Sequence, residues 1–158
     1  MGTYHPTVAG PVAFDLARAS VFLDFDGTIT EADTGVHVLG RLAPPGWRAI
    51  SDAYGRGEIG SRECLLDEWE LLPNDERQLQ AVIDEVPLDP GARPLVDALR
   101  RTGAEVTIVS DGFGIRVHEV AAALGVSVLS NTVDWATGRL EFPHEDRCCP
   151  CSTCGTCK

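Results

Sequence analysis

Asp24 and Asp26 stand two residues apart, after the apolar run Val21-Phe22-Leu23 and before Gly27-Thr28-Ile29-Thr30. An apolar strand that ends in a glycine turn sets both carboxylates at its carboxyl edge, where open α/β sheets bind ligands. Two carboxylates about 4 Å apart repel by about 4 kcal/mol at an effective dielectric of about 20. A cation between them removes that penalty, and hard cations such as Mg²⁺ prefer oxygen ligands. The chemistry that suits the pair is phosphoryl transfer with one aspartate as nucleophile. Asp-x-Asp-Gly also occurs as a solvated turn after an edge strand. The apolar residues before it and Thr28-Ile29-Thr30 after it make this instance more specific.

A second group of chemically useful residues is Ser110-Asp111-Gly112, which closes the β-branched run Glu105–Val109. A hydroxyl and the free N–H groups of a helix start can bind phosphate. The same three residues also serve as an ordinary helix cap. Of the six cysteines, Cys64 stands alone in a helical pattern and reads as a small core residue. Cys148, Cys149, Cys151, Cys154 and Cys157 all fall in the last eleven positions, a local device rather than a scattered disulfide framework. The set Cys148, Cys151, Cys154 and Cys157 has spacing suited to a structural Zn²⁺, with Cys149 or His144 as alternative ligands. Four thiolates would also serve an iron–sulfur cluster, and a thiol-rich loop without metal fits equally.

These residues need a scaffold. Residues 20–25 read as the first strand. Helical patterns follow, around Val36–Leu42, Trp47–Tyr54, Cys64–Leu72 and Leu79–Val86, broken by Pro44-Pro45, Gly55 and Pro73. Asn74 is the expected N-cap of the fourth helix. Leu95, Val96, Ala98 and Leu99 mark the face of a further helix stopped by Gly103. Glu105–Val109 is the second strand, and Val117, Val120, Ala121 and Leu124 mark a helix ending at Gly125. Val126–Leu129 is the third strand, and Thr132–Trp135 with Arg139–Phe142 form a hairpin. Strands alternating with helices specify an α/β fold, a Rossmann-like parallel sheet. Residues 1–19 read as a leader, 20–33 and 87–158 as the core, and 34–86 as an inserted helical cap. The hinges expected are Thr30–Thr34 and Pro87–Gly91, both rich in turn formers. A fixed helical bundle without hinge motion is the alternative.

The length of 158 residues suits one domain. A net charge of −11 argues against nucleic acid or an anionic membrane as partner, since both need basic surface. No apolar run approaches the ~20 residues that span a bilayer, and the first twenty residues lack the pattern of a secretory signal. The expected location is the cytoplasm.

The nonamer Phe22–Thr30 resembles motif I of the haloacid dehalogenase superfamily of phosphatases, and the strand-end Ser110 resembles its motif II. Helices inserted between the two motifs resemble the helical-cap type, to which phosphoserine phosphatases belong. Asp24–Asp33, Pro44-Pro45-Gly46-Trp47, Phe142-Pro143-His144 and Cys154-Gly155-Thr156-Cys157-Lys158 together resemble its methionine-salvage branch. Those phosphatases act on 2-hydroxy-3-keto-5-methylthiopentenyl-1-phosphate. The resemblance implies a Mg²⁺-dependent phosphomonoesterase acting on a small phosphorylated metabolite through an aspartyl phosphate. It makes Asp24 the nucleophile, Asp26 the acid and base, and Lys158 the motif III cation. Asp24 and Asp26 would hold Mg²⁺. Gly27, Thr28, Asp33, Ser110, Asp111 and Gly112 would contact phosphate or substrate. The cap arginine that grips the carboxylate in phosphoserine phosphatases is replaced by Leu66, with Arg62 as a nearby substitute. The Gly-Asp strand of motif IV has no counterpart in the 158 residues, so a C-terminally truncated, incomplete sheet is expected, with Val21–Phe25 as an apolar edge open to self-association. A phosphate- or metal-binding protein without catalysis and a non-functional fragment are the other readings.

Overall fold

The computed structural model describes residues 15–145. Lys158 and the cysteines from Cys148 onward lie outside the described residues, so the expected motif III cation and the expected thiol site do too. Residues 16–18 form a single 3-10 turn capped by Asp15, whose Oδ1 accepts from the Ala17 N–H at 3.1 Å.

The strands are β1 (Ser20–Asp24), β2 (Glu105–Ser110) and β3 (Ser127–Ser130). They form a parallel sheet in the order β1-β2-β3, with Asp24 level with Val109 and Ser110 level with Ser130. The fold is α/β and Rossmann-like. Parallel strands need crossovers, and two helices supply them here, α5 (Ala92–Arg101) before β2 and α6 (Val117–Leu124) between β2 and β3. Phe25, Ile29, Val96, Ile108, Val117 and Leu124 are among the residues of the resulting core. Among the described residues β1 is an edge strand, and Phe22 on it is 64% exposed.

Between β1 and α5 lie four helices: α1 (Thr34–Leu42), α2 (Arg48–Gly55), α3 (Ser61–Trp69) and α4 (Glu76–Ile83). Helices α1, α3 and α4 share a second core built on Val38, Leu39, Trp69, Leu79 and Ile83, which Trp47 joins from just before α2. That core also takes Phe113 and Ile115 from the loop after β2, and Leu140 from the hairpin of β4 (Thr132–Asp134) and β5 (Arg139–Glu141). Trp69 binds the helices to the hairpin: its indole N–H donates to the Gly138 carbonyl at 2.9 Å, and its ring lies 5.4 Å from Phe113 and 6.0 Å from Trp135.

The two segments read as hinges run side by side. Glu31 N–H donates to the Pro87 carbonyl and Asp89 N–H to the Ile29 carbonyl, both at 2.9 Å, around an antiparallel bridge between Thr30 and Leu88. The helical module therefore leaves and rejoins the sheet through a paired stalk.

Several details depart from the sequence reading. The N-cap of α4 is Asp75, whose carboxylate accepts from Gln78 N–H at 3.0 Å. Asn74 instead packs beside Gly138. The buried face of α5 is Ala92 and Val96 with Leu99 partly covered, while Leu95 is 44% exposed. Leu95 falls at the rim of that face and Ala98 outside it, and both are exposed. The third strand begins at Ser127 rather than Val126.

Candidate active site

The site forms where β1 and β2 leave the sheet. Asp24 is the exposed last residue of β1. The chain then turns through Gly27 at φ 71°, a left-handed conformation that glycine adopts freely. Thr30 holds the turn: its buried hydroxyl donates toward the Phe25 and Ala32 carbonyls and accepts from Gly27 N–H at 3.2 Å. Gly27, expected as a phosphate donor, thus has its amide committed to Thr30 in this structure. Thr28 is exposed on the turn, with its N–H on the Phe25 carbonyl at 3.3 Å.

Asp26 is half-buried and held on both oxygens. Its Oδ1 accepts from the Thr34 N–H at 2.8 Å and the Thr34 hydroxyl at 2.6 Å, and its Oδ2 faces the Ser110 hydroxyl at 3.5 Å. Burial pushes its pKa above the usual carboxylate range. The Thr34 bonds stabilise the anion and oppose that rise, while the charges of Asp33 and Asp111 add to it. Such a carboxyl is suited to holding and releasing a proton.

From β2, the buried Ser110 hydroxyl accepts from the Gly112 N–H at 3.3 Å. A β-carbon on Gly112 would lie 3.1 Å from Asp26 Oδ2, so glycine there lets the two loops approach without displacing that carboxylate. Asn131, at the end of β3, fixes the same loop, its amide donating to the Asp111 and Gly112 carbonyls at 2.9 Å each. Asp33 caps α1, accepting from Val36 N–H at 2.8 Å.

A cavity of about 220 Å³ joins these loops to the helical module. Asp26, Asp33, Asp111 and Gly112 line it beside Ser51 of α2 and Glu68 of α3. Glu68 is 8% exposed and accepts from the Ser51 hydroxyl at 2.5 Å. Burial raises its pKa, opposed by hydrogen bonds from Ser51 and Cys64, and the Asp33 charge raises it further. The Cys64 thiol, buried against Glu68, is pushed up to about 12.

The structure therefore brings Asp26, Asp33, Ser110, Asp111 and Gly112 together, and adds Thr34, Ser51, Glu68 and Asn131, which the sequence reading missed. Glu68 carries one usable signal, since it lies four residues from Cys64 and so on its helix face. Arg62, read as a substitute carboxylate grip, does not line the cavity. It pairs with Glu145 at 3.0 Å and lies 4.2 Å over the Phe142 ring.

The donors at the strand ends are all oxygens, which suits a hard cation. Among the described residues no three acidic, histidine or cysteine side chains gather closely enough to enclose one. The set present thus fits a cation that keeps several waters or draws further ligands from elsewhere.

A parallel sheet whose strand ends gather an Asp-x-Asp turn and a serine loop, under an inserted helical module, defines a class, and the comparisons identify it. The family model for haloacid dehalogenase-like hydrolases matches residues 21–146, and the chain belongs to that family. The 2-hydroxy-3-keto-5-methylthiopentenyl-1-phosphate phosphatase of Brevibacillus brevis is 30% identical over 145 residues, covering 87% of this chain and 65% of that protein. The chain thus spans about two thirds of that relative's length. Phosphoserine phosphatase of Idiomarina loihiensis is 35% identical over 94 residues, or 58% of this chain and 43% of that one. The crystal structure of phosphoserine phosphatase from T. onnurineus superposes with a TM-score of 0.65 at 22% identity, covering 84% of this chain and 66% of that one, which establishes the shared fold.

Proposed function

We propose that this protein hydrolyses small phosphomonoesters. Asp24 attacks phosphorus and forms an aspartyl phosphate, while the departing alcohol takes a proton from Asp26. Water then attacks the acyl phosphate, giving its proton to Asp26 and releasing inorganic phosphate and the free Asp24 carboxylate. The Ser110 hydroxyl and the Gly112 N–H hold the phosphoryl oxygens. The Asp24 carboxylate and the Asp26 carbonyl would hold Mg²⁺, which when bound offsets the negative charge of phosphate and carboxylates. The helical module acts as a cap that shields the intermediate from solvent.

The observation that supports this best is the approach of Asp26 and Ser110, 84 residues apart in sequence, to 3.5 Å at the strand ends. It sets a half-buried acid beside a serine hydroxyl, a proton carrier and a phosphate-binding group that the two steps both use. The substrate supported by the names of the relatives is a methionine-salvage-type enol phosphate. Phosphoserine is a second reading, favoured by Asp33, which lines the cavity and would hold an ammonium group.

The test is Mg²⁺-dependent phosphate release from p-nitrophenyl phosphate, with Asp24→Asn beside the parent chain. Turnover in the parent and its loss by at least about 10³-fold in the variant is the expected result, a loss of about 4 kcal/mol in barrier terms. Equal turnover in both would remove Asp24 as nucleophile. Phosphate binding without turnover would reassign the protein as a binding module.

A further inference from the structure

The ionisable groups that line the cavity raise a question of selectivity. Asp26, Asp33, Glu68 and Asp111 are acidic, and among the described residues no lysine, arginine or histidine joins them. Arginines of the helical module pair elsewhere: Arg62 with Glu145 and the Phe142 ring, Arg41 with Glu85, and Arg56 with Glu58. Acidity alone would select nothing. The informative group is Glu68, which is almost fully buried yet lines the cavity. Ser51 donates to one of its oxygens, and the Cys64 thiol also hydrogen-bonds to it. A carboxylate has about four acceptor positions, so these two donors leave room for a third. Val36, Leu39, Leu65 and Phe113 supply apolar wall around it.

We propose that Glu68, oriented by Ser51, reads the alcohol half of the substrate, accepting a hydrogen bond from a hydroxyl or ammonium group and rejecting any alcohol that carries a carboxylate. The inference rests on the phosphomonoesterase reading and narrows its substrate class, deciding against the phosphoserine alternative. A second anion placed beside Glu68 meets like charge, and among the described lining residues no cation offsets it, which is specificity by repulsion. A donor group meets an acceptor already desolvated and fixed in place, so little ordering remains to be done.

Phosphonates that cannot be hydrolysed separate this proposal from the catalytic one. Binding of 3-aminopropylphosphonate, 3-hydroxypropylphosphonate and 2-amino-4-phosphonobutyrate is measured by calorimetry on the parent, Glu68→Gln and Ser51→Ala. The first two present an ammonium and a hydroxyl, and the third adds a carboxylate to the ammonium. The expected result is at least about tenfold tighter binding of the better donor ligand than of the carboxylate ligand. Glu68→Gln should reduce that ratio to within about threefold, with Ser51→Ala between. Which donor ligand binds tighter assigns hydroxyl or ammonium. Preferred binding of the carboxylate ligand, an unchanged ratio in Glu68→Gln, or no binding of either donor ligand overturns the proposal. The expected ratios without turnover of p-nitrophenyl phosphate would sink the catalytic reading alone. Turnover with the ratios reversed would sink this one alone.

Discussion

Replacing Gly114 by alanine tests whether the strand-end loops are held as tightly as their geometry requires. Gly114 has φ 78°, and a β-carbon there would overlap the Asn131 carbonyl oxygen and lie 2.6 Å from its carbonyl carbon. Alanine in the left-handed region costs about 1–2 kcal/mol. To relieve the overlap Asn131 must shift, and with it the two bonds to the Asp111 and Gly112 carbonyls, each contributing about 0.5–1.5 kcal/mol. The expected destabilisation is about 2–5 kcal/mol, a large share of the ~5–15 kcal/mol that keeps a domain folded. With an m-value of about 2 kcal/mol per molar urea, the midpoint falls by about 1–2.5 M. The control is the same substitution at Gly40, inside α1 with open space where the β-carbon would go. Gly40→Ala should raise stability by up to about 1 kcal/mol, through helix propensity alone. Asn131→Ala removes the two bonds without the overlap and should fall between them. Urea titrations followed by tryptophan fluorescence measure all three. A Gly114→Ala midpoint within error of the parent would refute the loop argument.

Two further predictions concern groups away from the strand ends. The folded pKa of Glu68 is raised by burial, so its contribution to stability is present at low pH and lost as pH rises through the folded value. Glu68→Gln keeps an acceptor for Ser51 without the charge, so its stability relative to the parent should climb as pH rises from the ordinary glutamate value of 4.5 through the raised folded value. Parallel stability profiles for the two proteins would contradict this. Phe22 is 64% exposed on a strand with no outer partner among the described residues, and such edges pair with other chains. Sedimentation velocity should show concentration-dependent association of the 158-residue chain that Phe22→Glu reduces; a parent that stays monomeric throughout counts against it.

What could be read from the sequence divides along a physical line. Elements set by their own neighbours were legible. β1 and β2 are apolar or β-branched runs ended by acid or serine and glycine, and Gly125, at φ 71°, ends α6 as a left-handed cap should. The choice of face was less secure. Leu95 is as apolar as Leu99, and only the position of the sheet decides which of them is covered. The N-cap of α4 falls on Asp75, and Asn74 lies against Gly138 of the hairpin, a neighbour more than sixty residues away that no local pattern names.

The site follows the same division, with a reason rooted in topology. In a parallel sheet every strand ends at the same edge, so a polar residue at one strand end is already near those at the others. Asp24 ends β1, Ser110 ends β2, and Ser130 ends β3 with Asn131 after it. The first two were legible because each closes a strand. Asn131 was legible in principle by the same argument, and would have been found by asking what stands at the third strand's exit. Glu68, Ser51 and Thr34 obey no such rule. They come from helices whose placement over the sheet depends on the paired stalk at Thr30 and Leu88 and on the Trp69 bond to Gly138. The half of the site to which the proposal gives the chemistry is thus a property of the sheet, set by where the strands end. The half to which the proposal gives selectivity belongs to the packing of one helical module, where a single buried carboxylate four residues from a cysteine lines the cavity.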